Sequence, residues 1–158
     1  MRAVAAWGVD MVFGASEGIM CGIVFSPKAF RDRHLKPYNL TVSVTPRFVP
    51  EESKPGQQLY LFAYTVRITN SGEFPAQIIS RHWTITDDNQ QVREVSGLGV
   101  VGQQPLLAPG ETFEYTSGCP LPTPMGTMKG TYHCVGENGI PFDVPIAEFL
   151  LSMPRTLH

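Results

Sequence analysis

Charged residues are scarce in this chain of 158 residues, at 16% of the sequence, whereas soluble domains usually carry about a quarter. The formal net charge is −2, so the chain lacks the basic surface field that attracts a phosphate backbone. We therefore expect no binding to nucleic acid. The sequence also lacks any run of about 20 apolar residues, so we expect no membrane span.

Cysteines are few, and their spacing is irregular. The three of them, Cys21, Cys119 and Cys134, are an odd number without C-x-x-C spacing, which argues against a disulfide framework and favours a reducing cytoplasm. The start of the chain, Arg2 followed by AVAAWGV, imitates a signal peptide. Asp10 interrupts that apolar run and no small-x-small cleavage site follows, so we expect a cytoplasmic protein.

A helical stripe of apolar residues is also missing. Glycine and proline are frequent instead, with 15 and 14 residues, and they suit short strands joined by turns. From Tyr38 onward apolar and polar residues alternate with a period of two. The strongest alternation places five large residues on one face: Tyr60, Phe62, Tyr64, Val66 and Ile68. About seven such segments predict an all-β antiparallel sandwich, fibronectin type III-like or immunoglobulin-like.

Two of the predicted strands make sharper claims. In a strand over residues 76–86, alternate positions share one face: Ile79, Arg81, Trp83 and Ile85. The last strand, over residues 140–144, contains Pro141, and Pro145 follows directly after it. Because proline has no N–H to donate, that strand must lie at a sheet edge or contain a bulge.

Three segments resemble the bacterial ApaG family, also called CorD: ITNSGEFPAQIISRHWTITD (68–87), GLGVVGQQPLLAPGETFEYTSGCPLPTPMGTMKGTY (97–132) and FLLSMPRTLH (149–158). The resemblance covers residues 38–158 and implies a fibronectin-like sandwich, so we expect an ApaG domain over residues 37–158. Residues 1–36 are then either an N-terminal extension or a start assigned too early, with Met20 as the alternative. Mass spectrometry of the native N-terminus distinguishes the two.

The resemblance implies little chemistry. Bacterial members of the family are linked to cobalt resistance and magnesium efflux. Eukaryotic relatives carry the domain inside larger proteins, where it looks like a protein-binding module. None of these associations names a reaction or a cofactor.

A run of glycines, Gly97, Gly99 and Gly102 in GLGVVG, matches the dinucleotide-binding pattern G-x-G-x-x-G by letter. That chemistry needs a helix whose N-terminus faces the pyrophosphate. Pro105 and Pro109 prevent such a helix. We therefore expect a structural loop, although its backbone amides could still form a nest for an anion or a nucleotide phosphate.

Histidines and cysteines are the candidate metal ligands, but no pair has the spacing H-x-H or C-x-x-C. His82 and His133 could converge on a cation only if their strands are neighbours; otherwise they are polar surface residues. His133 and Cys134 are adjacent and therefore face opposite sides of their strand.

Arg81 is an unusual residue for an inward-facing position. It could act as a bidentate hook for an anion beside the glycine run. The alternatives are a snorkelling side chain or a buried ion pair with a carboxylate such as Glu114.

No arrangement of residues supports catalysis. Cys119 lacks an assigned base and is expected in a turn. The sequence therefore predicts a non-enzymatic binding module whose partner is another protein, engaged at an exposed sheet face or edge, with a homodimer as an option. The alternative is a sensor that binds an anionic nucleotide or a divalent cation at Gly97–Gly102, with Arg81 holding the anion.

Overall fold

The computed structural model describes residues 37–155, so the expectations for residues 1–36 lie outside it. These described residues form eight strands: β1 (Leu40–Phe48), β2 (Tyr60–Asn70), β3 (Ala76–Asp87), β4 (Val92–Leu98), β5 (Leu106–Leu107), β6 (Thr112–Leu121), β7 (Met125–Gly136) and β8 (Pro141–Ser152). Two single 3₁₀ turns, Pro50–Glu52 and Pro55–Gln57, connect β1 to β2. In this part of the chain no helix is long and apolar enough to cross a membrane.

The strands form two antiparallel sheets. One has the order β1-β2-β6, and the other has the order β4-β3-β7-β8, with β5 paired to the start of β3. Packed face to face, they form the predicted β-sandwich. The strand that the sequence did not predict is β5, because two residues are too few to show a period.

The core between the sheets follows the predicted alternation of β2. Phe62, Val66 and Ile68 have no exposed surface, and Tyr64 is 5% exposed. Burial of each such side chain stabilises the fold by about 1.5–3 kcal/mol. The opposite face of β2 carries polar pairs with β6, including Thr65–Thr116 and the ion pair Arg67–Glu114. One face is therefore the core and the other faces solvent.

A bulge in β3 changes which residues face the core. Its pairing with β7 shifts between Ile78 and Ser80, so Ile79 is an extra residue in the ladder. Ile78 is fully buried and Ile79 only partly. The predicted inward position of Ile79 was wrong, whereas those of Trp83 and Ile85 are confirmed.

The last strand is an edge strand, as its prolines predict. β8 pairs with β7 alone, and their register shifts between Met128 and Gly130. Both features that proline permits are therefore present. The strand runs to Ser152, well beyond the predicted end at residue 144.

The two long sides of the sandwich differ. On one side β1 packs against β8. On the other side the edge strands β4 and β6 are bridged by Arg93, whose Nη2 donates to the carbonyl oxygen of Pro120 at 3.1 Å. We call the side between β4 and β6 the open side.

Candidate functional site

The glycine run is half strand and half turn. Gly97 and Leu98 are the last residues of β4. Val100 and Gln103 then exchange backbone hydrogen bonds of 2.7 and 3.0 Å, and the two residues between them have positive φ, 44° at Val101 and 78° at Gly102. Positive φ at both central residues defines a type I′ turn. β5 follows in place of the helix that a dinucleotide site requires.

Most of the backbone amides in this turn are already used. Gly99 donates to the carbonyl of Ile79 at 2.7 Å, and Val100 and Gln103 donate to each other's carbonyls. A nest for an anion needs several amides pointing at one spot. The anion nest at Gly97, Gly99 and Gly102 stays a prediction. The amides of Gly99, Val100 and Gln103 are not available to it, because they already donate to backbone carbonyls.

The guanidinium of Arg81 is hydrogen-bonded to the backbone at the start of this turn. Its Nη1 donates to the carbonyls of Leu98 at 3.2 Å and Gly99 at 2.7 Å. A Cβ at Gly97 would lie 3.1 Å from that Nη1, so glycine leaves room for the guanidinium. The suggested ion pair with Glu114 is absent, because the carboxylate of Glu114 accepts from Arg67 Nε at 3.0 Å.

His82 and His133 do lie on neighbouring strands, since β3 pairs with β7. Together with Ser80 and Ser96 they line a shallow groove on the outer face of that sheet. Each histidine has its own partner. His82 Nδ1 is 2.7 Å from the hydroxyl of Ser96, and His133 Nδ1 is 2.7 Å from Asp143 Oδ1.

The histidines do not gain a third ligand. Within residues 37–155 no three His, Cys, Asp or Glu side chains are grouped so that they could hold a metal ion. His82 Nε2 is 3.9 Å from Glu94 Oε1 in β4. Asp143, the partner of His133, is in β8 at the other edge of the same sheet, so the two carboxylates do not meet. The metal site at His82 and His133 remains a prediction without further support from the geometry.

Both described cysteines are buried and unpaired. Cys134 faces the core at 1% exposure while His133 faces outward, as predicted. Cys119 lies in β6, so its predicted turn was wrong. Burial raises the pKa of both thiols, for Cys134 to about 12, which disfavours the nucleophilic thiolate.

Edge strands are the places where a sheet can accept another chain. Among the long edge strands in residues 37–155, three contain proline: β1 has Pro46, β6 has Pro120, and β8 has Pro141 and Pro145. β4 has none. The edge in β4 was not predicted from the sequence, because the strand is short and weakly patterned, although its apolar residues without proline were a signal.

The surface of β4 is also unusually apolar for an exposed edge. Three of its side chains are large, apolar and exposed: Val92 at 62%, Val95 at 39% and Leu98 at 77%. Val101 in the following turn adds another at 50%. These residues and the free backbone edge of β4 form one candidate site, which we call the β4 edge.

The fold and this site define the class of protein: a fibronectin type III-like β-sandwich with one edge strand, β4, that has no proline. Residues 50–136 match the family model described as the ApaG domain. The chain is 80% identical over 128 residues to Protein ApaG of Bordetella pertussis, covering 81% of this chain and 98% of that one. The chain belongs to the ApaG family, as its sequence resemblance predicted.

Other relatives agree with this assignment. Protein ApaG of Ralstonia nicotianae is 60% identical over 121 residues, which is 77% of this chain and 98% of that one. A crystal structure described as the putative ApaA protein of Bordetella pertussis superposes with a TM-score of 0.74 at 82% identity. It covers 76% of this chain and 98% of its own. The described fold is therefore that of a solved relative.

Proposed function

We propose that the chain is a non-enzymatic binding module that pairs with a strand of another protein at the β4 edge. The observation that carries this proposal is the contrast between edges: β4 alone among the long edge strands described has no proline, and its apolar side chains are exposed. An added strand would gain main-chain hydrogen bonds along β4 and pack apolar side chains beside Val92 and Leu98.

Backbone geometry specifies which groups of β4 are available to a partner. Gly99 donates its amide to Ile79 in β3. Because donors alternate along a strand, the amides of Ser96 and Glu94 then point away from β3. A partner strand would bind these outward groups.

The buried, high-pKa thiols support a role other than covalent catalysis. That Cys119 and Cys134 form no disulfide supports a cytoplasmic location. The link of the family to cobalt resistance and magnesium efflux would then arise through the partner. The partner can be a second copy of the chain, because two β4 edges can pair antiparallel about a two-fold axis.

A proline at an outward amide tests the proposal. Glu94→Pro removes one outward donor and leaves the ladder to β3 intact, so the fold should survive while partner binding falls at least about tenfold. Leu150→Lys is the matched control, because Leu150 is 52% exposed on the edge strand β8. Affinity capture from the native cell, followed by titration of the purified partner, measures both variants.

The result expected is loss of the partner from Glu94→Pro and retention by Leu150→Lys. Equal binding by wild type and Glu94→Pro, with both folded by circular dichroism, would contradict the use of the β4 edge. Loss from Leu150→Lys alone would move the interface to β8.

A further inference from the structure

A cavity of about 220 Å³ opens between the sheets on the open side of the sandwich. Its walls come mainly from β3, β4 and β6, including Trp83 and Val95, with Tyr64 of β2 and Met128 of β7 completing them. Two arginines line it, Arg81 and Arg93, together with the hydroxyl of Ser117. None of the described lining residues is Asp or Glu, so this cavity has two positive charges and no negative one.

The position of Arg81 leaves part of its guanidinium available. Only its Nη1 is used by the carbonyls of the turn, so Nε and Nη2 have no partner within residues 37–155. Arg81 also lies near the buried hydroxyl of Tyr64, whose pKa its charge lowers against the larger opposing effect of burial. The guanidinium lies at the edge of the cavity and also lines the groove beside His82 and His133.

Arg93 lies at the other end of the cavity. It is opposite Ile85, four residues along β3 from Arg81. Its Nη2 donates to the carbonyl of Pro120 and is 3.9 Å from Cys119 Sγ. Within residues 37–155, Nε and Nη1 of this arginine have no hydrogen-bond partner, so they are available to a ligand.

A buried donor at the cavity wall lacks a partner. The indole Nε1 of Trp83 is the one buried side-chain nitrogen or oxygen in the described residues without a hydrogen bond, and Trp83 is 1% exposed. An unmade hydrogen bond of a buried donor costs about 1–3 kcal/mol. Such a group calls for a ligand or a water molecule as its acceptor.

The indole of Trp83 packs against β7 and also lines the cavity. A Cβ at Gly130 in β7 would lie 2.8 Å from Trp83 Cε3, so the benzo edge faces β7. The pyrrole edge, which carries Nε1, lies across the ring from Cε3 and therefore away from Gly130. The cavity is on the β4 side of β3.

We propose that this cavity is a binding site for a small oxyanion of the phosphate or sulfate class, held by Arg81, Trp83 and Ser117 and closed by Arg93. Guanidinium groups bind such anions through charge-assisted hydrogen bonds. The indole N–H supplies a neutral donor, and the hydroxyl of Ser117, which is hydrogen-bonded to Tyr64, would exchange that partner for the anion. A volume of about 220 Å³ admits an inorganic anion and is small for a whole nucleotide. The cavity shares Val95 with the β4 edge, but anion binding does not require a protein partner there.

Two-dimensional ¹H–¹⁵N NMR of the Trp83 indole tests the site with inorganic phosphate and with sulfate. A Trp7→Phe background leaves Trp83 as the only indole signal, since the chain has two tryptophans. We expect a saturable shift of the Nε1–H cross-peak, with chloride at equal ionic strength as the reference. A shift that matches the chloride reference, or rises linearly to about 50 mM anion, would overturn the proposal.

Variants separate this site from a general effect of charge. Arg81→Gln and Arg93→Gln should each raise the dissociation constant for phosphate at least about tenfold. Ser117→Ala should raise it a few-fold. Arg67→Gln is the matched control, because Arg67 pairs with Glu114 on the outer face of the other sheet. We expect it to change the constant less than twofold.

Arg81 also holds the carbonyls of the turn, so Arg93→Gln keeps the test valid if Arg81→Gln unfolds. Equal weakening by Arg67→Gln and Arg93→Gln would overturn the site. The protein-binding proposal is tested apart from this one, because Glu94→Pro should leave the phosphate-induced shift of Trp83 unchanged.

Discussion

At the scale of single residues, Gly99 and Gly102 belong to one turn but have very different surroundings. Both have positive φ, 61° and 78°. A Cβ at Gly99 would clash with the carbonyl oxygen of Gln103, whereas a Cβ at Gly102 would have no neighbour within 4 Å. The first glycine is required by contact as well as by conformation, and the second by conformation alone.

Alanine at these positions should therefore have unequal costs. We expect Gly102→Ala to lower the free energy of unfolding by about 1 kcal/mol, from backbone strain alone. Gly99→Ala should cost about 3 kcal/mol or more, because backbone must move to relieve the clash. Urea unfolding of both variants measures the difference, and equal costs would show that the contact with Gln103 is relieved freely.

The buried thiol of Cys134 makes stability depend on alkaline pH. Its pKa is raised from 9.0 to about 12 by burial, so the folded state keeps a proton that the unfolded state loses first. The contribution of the protonated thiol to the free energy of unfolding is fully present below about pH 9, and it falls as the pH rises toward 12. The slope is about 1.4 kcal/mol per pH unit, and Tyr115, whose pKa is raised from 10.0 to about 12, adds to it above pH 10.

Cys134→Val should reduce the pH dependence of the free energy of unfolding by the contribution of about one proton between pH 9 and 10.5. The stability of the variant at pH 7 reports the change in packing. Urea unfolding at several pH values measures both. An unchanged slope in the variant would show that Cys134 does not carry the dependence.

At the scale of elements, the turn after β4 contains a β-branched residue in an unfavourable conformation. Val101 has a φ of 44°, a region where such residues are rare. Asn followed by Gly is the preferred pair for a type I′ turn, and Gly102 is already in place. Val101 is half exposed, so its side chain contributes little to the core.

We therefore expect Val101→Asn to stabilise the protein by about 0.5–1 kcal/mol, seen as a rise in the midpoint of thermal unfolding. Val95→Asn, which changes an exposed valine in β4 itself, is the control and should destabilise it. If Val101→Asn lowered the midpoint, Val101 would have a packing role that its exposure does not reveal. If it also weakened partner binding, Val101 would belong to the interface.

The alternation of residues in β2 and the prolines of β8 were enough to predict the sandwich and its edge strand, because both signals are local. The bulge at Ile79 could not be predicted, since it exists only in the pairing of β3 with β7. The partner of Glu114 depended on pairing in the same way: Arg67 faces it across the ladder from β2 to β6. The cavity with Trp83 needed three strands to be placed before it could be recognised.

At the scale of the whole molecule, the two sheets differ in how well their strands are protected. β2 is hydrogen-bonded on both sides and buries the middle of one sheet. β4 pairs on one side only and has mostly exposed side chains. Local opening should therefore begin at β4, which lies on the open side.

Hydrogen exchange followed by NMR should show this difference directly. We expect the amides of Val66 and Ile68 to exchange most slowly and those of Glu94 and Ser96 at least about a hundredfold faster. Addition of the protein partner should slow Glu94 and Ser96 without changing β2. Equal protection of β2 and β4 in the free protein would contradict an open β4 edge.

The contact between β1 and β8 on the far side has a consequence for how the molecule is made. The first described strand, beginning at Leu40, packs against the last, which ends at Ser152, and β2 must wait for β6 before its own sheet is complete. The ladders β2–β6 and β3–β7 and the contact β1–β8 join strands that are distant in sequence, so loop-closure entropy must be overcome before they contribute stability. We expect folding in milliseconds to seconds, completed only after the end of the chain has been synthesised, with the sheets exposed to chaperones until then.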